Sequence, residues 1–108
     1  MDLKDAKSYI MASAKKLNLS TTTTREAIKI YNEVSSNPEF ADTRIRDESI
    51  AIASVYVANR LHQPKPLEQT VFIYRLPISF ATLRKCYIHI CSILDISRER
   101  IVPKRHFS

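Results

Sequence analysis

The sequence predicts an all-α fold of five helices arranged around a buried central one. Three observations predict it. Apolar residues recur at i, i+3 and i+4 through successive windows, the spacing of a helix face rather than a strand face. Glycine is absent, which disfavours tight two-residue hairpins because their turns use positive φ. The 108 residues suffice for one domain that buries its own core.

The first helix follows from the stripe Leu3, Ala6, Ile10, Ser13/Ala14 and Leu17, with Lys4, Lys7, Lys15 and Lys16 off it. "NLS" breaks it, and Ser20 is a candidate N-cap for the second helix. Thr23 with Glu26 offers a second capping-box frame, which leaves the start open by about a turn. Ala27, Ile30, Tyr31 and Val34 form the second stripe. "SSNPEFADTRIR" is expected to be a loop, marked by Asn-Pro and mixed polarity.

The pattern changes between Asp47 and Leu61. "SIAIASVYVANRL" is apolar on all sides and slim at Ala51, Ala53 and Ala58, as expected of a helix encircled by its neighbours. Its β-branched residues also suit a strand, but its length favours helix. Asp47 and Glu48 at the start and Arg60 at the end agree with the helix dipole. "HQPKP" then reads as a turn, with Pro66 at the first position of a fourth helix running to about Leu76. Pro77 stops that helix, and Ser79 caps a fifth that runs to about Leu94. The domain is expected to span 1–94, with a helix-turn-helix at about 67–94 and a basic tail at 95–108.

The net charge of +6 lies entirely in the second half, because residues 1–58 carry equal numbers of cations and anions. Such a localised excess suits a polyanionic partner, most often nucleic acid; a solvated basic surface is the plainer alternative. Without glycine, no Walker loop and no dinucleotide fingerprint exists. No apolar run reaches the length of a membrane span, and "MDLKDAKSYI" has no signal-peptide core, so the chain is expected to be neither membrane-bound nor secreted. Cys86 and Cys91 sit about 140° apart on a helix, so no local disulfide is expected and a reducing compartment is the simpler reading.

Stepping about 100° per residue sorts the last helix into two sides. Leu83, Tyr87, Ile90 and Leu94 face the core, whereas Ala81, Arg84, Lys85 and Ile88 lie together on the far side. Arg and Lys there suit phosphates or a guanine edge, and Ala81 permits close approach to a groove. A helix, a short turn and a second helix with an outward basic face are the parts of a helix-turn-helix.

"AKKLNLSTTTTREAIKIYNEV", "SIAIASVYVANRL" and "PISFATLRKCYIHI" together resemble the cyclin-like repeat of transcription factor IIB and its archaeal counterparts, over roughly residues 7–94. Thr82, Arg84 and Tyr87 match the Thr-x-Arg-x-x-Tyr of the family's second repeat, and Ser49, Ile50, Ala51, Ala53, Tyr56 and Ala58 fit its central helix. Before that helix the family has a glycine-containing turn, where this chain has "RIRDES". The resemblance implies a five-helix cyclin-like fold whose helix-turn-helix contacts promoter DNA beside the TATA box, with TATA-binding protein in place. It places Ala81 and Arg84 at base-reading positions and Thr82 near the backbone. Geometry and charge add Lys85, and Arg75 and Lys65 complete the expected DNA-binding set. The resemblance further implies a monomer without a cofactor, and a nuclear site in a eukaryote or a nucleoid site in an archaeon. Contact with RNA polymerase would use a zinc ribbon and linker that these residues do not include.

Other readings are a cyclin-fold protein-interaction module without DNA binding and, less well supported, an enzyme. Adjacent Asp47 and Glu48 point in different directions and read as capping residues. Cys86 and His89 supply only two ligands, too few for a zinc site. The tyrosines at 9, 31, 56, 74 and 87 read as core residues with a hydroxyl at the edge.

Overall fold

The structure, a computed structural model, describes residues 3–41 and 43–101, with side chains from Ala6 onward. The expected tail beyond residue 101 and the side chains of Leu3 and Lys4 lie outside the described residues. Among the described residues six helices follow one another: α1 Leu3–Lys16, α2 Thr21–Val34, α3 Pro38–Ala41, α4 Asp47–His62, α5 Gln69–Arg75 and α6 Phe80–Leu94, before a 3-10 turn at Arg98–Arg100. Five of these are the expected helices. The addition is α3, inside the expected loop, where Asn37 caps one turn by accepting the Glu39 N–H on its Oδ1 at 2.9 Å. Pro38 has no N–H to satisfy at the first position, and Phe40 is buried, so the turn is anchored from below.

The first capping frame is the one used. Ser20 Oγ accepts the Thr23 N–H at 3.1 Å, and Gln63 Nε2 donates to the same oxygen at 3.1 Å and to Thr23 Oγ1 at 2.7 Å. The end of α1 is tied to the end of α2's cap by a turn with Asn18 at φ 54. There the Leu19 N–H donates to Ala14 O at 2.8 Å and the Asn18 N–H to Lys15 O at 3.1 Å, a Schellman motif built without glycine.

Every residue from Ser49 to Asn59 is buried, and α1, α2 and α6 pack around α4. Tyr56 sits at the centre, stacked on Tyr87 at 5.2 Å and edge-on to Phe72 at 5.2 Å. Burial pushes its hydroxyl up to about 12, even though the Arg60 guanidinium over its ring acts the other way. That hydroxyl donates to Ile101 O at 2.9 Å, and Ile101 is itself buried. Residues 95–101, expected as the start of a tail, therefore stay on the domain.

Two further expectations change. The fourth helix begins at Gln69 rather than Pro66, because buried Asn59 accepts the Leu67 N–H on its Oδ1 at 2.7 Å and the following Glu68 is extended. Tyr31, Tyr56 and Tyr87 are core residues, but Tyr9 and Tyr74 are exposed. Tyr74 belongs to a seven-residue helix that fully buries only Phe72.

Candidate nucleic-acid interface

The segment between α5 and α6 is residues 76–79, and it turns sharply without glycine. Leu76 is extended (φ −124°, ψ 152°), the conformation its proline neighbour imposes. The Ile78 N–H donates to Leu76 O at 2.8 Å, closing a three-residue turn centred on Pro77, whose fixed φ suits it. Ser79 then caps α6: its Oγ accepts the Thr82 N–H at 3.2 Å and donates to Thr82 Oγ1 at 3.0 Å. Ile78 and Leu83 hold the two positions of a hydrophobic staple around this cap, and both are buried. The start of α6 is thus fixed from both sides.

The faces of α6 fall as the periodicity predicts. Leu83, Tyr87 and Ile90 are buried together with Cys86 and Cys91, while Leu94 is half-buried. Ala81, Arg84 and Lys85 are exposed and Ile88 is half-buried. They form two i, i+4 rows, one of Phe80, Arg84 and Ile88 and one of Ala81 and Lys85. Burial raises the Cys86 thiol to about 12, and the same cause raises Cys91, so both are neutral core groups. His89 turns to α3 instead, with Nδ1 2.7 Å from Glu39 Oε2 and its ring 5.4 Å from that of Phe40.

Beside this helix lies an open cleft of about 380 Å³. Arg44 and Arg46 line it from the segment before α4, and Lys85 lines it from α6, with the hydroxyls of Thr43, Ser79 and Thr82 between them. Among the described residues no carboxylate lines it and none of the three cations makes an ion pair. Arg44 takes φ 60°, a left-handed conformation that favours glycine. Its neighbour Thr43 is locked by donating its hydroxyl to Phe40 O at 2.7 Å. A concave surface with three cations and the Thr82 hydroxyl is suited to phosphate oxygens.

Of the expected set, Ala81, Thr82, Arg84 and Lys85 share the first two turns of α6. Arg75 ends α5, exposed, directly before the turn. Lys65 is exposed in the loop after α4 and joins neither the cleft nor α6. Arg44 and Arg46 escaped the sequence reading because they belong to the half of the chain whose charges sum to zero. The Arg-x-Arg directly before the central helix was the available signal.

A family model described as Transcription factor TFIIB repeat matches residues 1–93. The chain belongs to the TFIIB family. No curated protein and no solved structure matches it. The matched span covers α1 to α5 and all of α6 but its last residue, so the six helices around the buried α4 are those of a TFIIB repeat with a cyclin-like, all-helical fold. The family is one of transcription initiation factors and is not enzymatic.

Proposed function

We propose that this TFIIB repeat binds promoter DNA beside the TATA box together with TATA-binding protein, with α5, the turn and α6 acting as a helix-turn-helix. Arg84 and Ala81 meet base edges, Lys85 and Thr82 hold the backbone, and Arg75 follows the phosphates from the end of α5. Arg44 and Arg46 extend the phosphate-holding surface around the cleft. Lys65 remains a peripheral cation in this scheme. RNA polymerase is reached through family parts outside these residues, and the site of action is the nucleus or the nucleoid.

The observation that carries this reading is the convergence of Arg44, Arg46 and Lys85 on one cleft, with no carboxylate among its described lining residues, next to the exposed Arg84. Cations gathered on one concave surface gain from a partner that brings its own negative charge and releases counterions.

A gel-shift assay on TATA-containing duplex, with and without TATA-binding protein and across a salt series, tests it. Affinity is expected to fall steeply between about 50 and 200 mM salt, as counterion release requires. DNA binding undetectable at low salt, with either protein mixture, would instead favour a cyclin-fold module that grips proteins.

A further inference from the structure

Phe80 is the first residue of α6 and is 50% exposed. It belongs neither to the core nor to the half-buried apolar residues packed against it. The local need for an apolar residue at the cap is already met by Ile78 and Leu83, both buried. The exposed half of Phe80 is therefore not needed to seat α6 on the core. It lies instead one turn before Arg84 in the same i, i+4 row and directly beside exposed Ala81.

The first residues of a recognition helix are those that meet base edges in the major groove. The major groove presents one apolar group, the 5-methyl of thymine, and an aromatic or alanine side chain is a fitting partner for it. Resting on the reading of α6 as a DNA-reading helix, we infer that Phe80, with Ala81 beside it, selects a thymine by its 5-methyl group. The guanidinium of Arg84, one turn further along the row, takes the acceptor edge of a neighbouring guanine. The first turn thus reads a methyl group and the second a pair of acceptors. Lys85 and the cleft, on the adjoining row, serve the phosphates and carry no part of this preference.

The test uses the full chain and a 20-base-pair duplex that it selects from a random pool. The same duplex is then made with deoxyuridine at every thymidine, which deletes only methyl groups. Wild-type protein is expected to bind the uracil duplex about fourfold more weakly, the worth of one buried methyl group. Phe80→Ala should bind both duplexes alike, near the wild-type affinity for the uracil form, while Phe80→Leu keeps the discrimination. Because Phe80 is half exposed, circular dichroism of both variants should match the wild type. If the wild type binds the two duplexes equally while Arg84→Ala still weakens binding, the thymine assignment is overturned and the DNA reading stands. If the protein enriches no duplex and Arg84→Ala changes nothing, both fall together.

Discussion

Replacing Ser79 by alanine removes the cap that starts α6 and tests whether local capping holds the first turn of α6 in place. The change deletes one acceptor for the Thr82 N–H at 3.2 Å and one donor to Thr82 Oγ1 at 3.0 Å, at an exposed position where water can replace both. An N-cap serine of this kind contributes about 1 kcal/mol. Unfolding entropy near 2.1 cal/mol/K per residue gives about 230 cal/mol/K for the chain, so the melting temperature should fall by about 4 °C. Ser20→Ala makes the internal comparison, because Ser20 caps α2 in the same way but also accepts from Gln63 Nε2 at 3.1 Å beside buried Thr23. Its loss should exceed that of Ser79→Ala, since it also cuts a link between α2 and the end of α4. Thermal melts followed by circular dichroism rank the two, and DNA binding at 25 °C separates them. Ser79→Ala should weaken binding by fraying the turn that carries Ala81 and Thr82, whereas Ser20→Ala should not. A Ser79→Ala protein that melts like the wild type would refute the capping argument. Equal loss of DNA binding in both variants would refute its link to α6.

Asn59→Ala deprives the Leu67 N–H of its acceptor at 2.7 Å beneath the loop that leads to α5, and should cost about 2 kcal/mol, or about 9 °C in a thermal melt; an unchanged melt would count against that anchoring role. Arg44→Gly relieves a left-handed residue at φ 60° and should stabilise the fold by up to about 1 kcal/mol in urea titration while weakening DNA binding. A destabilised variant would mean that Arg44 holds the fold together and is not strained for the cleft. Cys86 has a thiol raised from 9.0 to about 12 by burial, so the folded state keeps its proton where the unfolded state loses it. Its stabilising effect is complete below pH 9 and is lost as pH rises toward 12, at about 1.4 kcal/mol per pH unit. Cys86→Ala should therefore flatten the decline of stability above pH 9, and parallel curves would contradict this.

What the sequence made legible is what depends on neighbours within one or two turns. The stripes of α1 and α2, the caps Ser20 and Ser79, and the stop at Pro77 are all settled by residues at most four apart, and each stands where its spacing placed it. The buried run of α4 was legible too, because no amphipathic surface helix is apolar on every side. The rest depends on contacts across the chain. Ile101 is held by a hydroxyl 45 residues away, so nothing near it announced that the chain stays on the domain. The start of α5 is displaced by Asn59, whose buried amide takes the N–H that a helix beginning at Pro66 would have used differently. Half of the candidate site was visible as the outward face of α6. The other half, Arg44 and Arg46, becomes part of it only when packing brings the segment before α4 against the start of α6.

DNA reading by α6 is tested most directly by a gel-shift salt series with Arg84→Ala, Lys85→Ala and the double variant, each checked for an unchanged circular dichroism spectrum. Both side chains are exposed, so their removal should leave the fold intact. Arg84→Ala is expected to cost about 1–3 kcal/mol on the preferred duplex and to blur its advantage over others. Lys85→Ala should weaken binding evenly across sequences and lower the salt slope by about one. A folded double variant that binds the same duplexes with unchanged affinity and unchanged slope would show that DNA does not meet this face of α6.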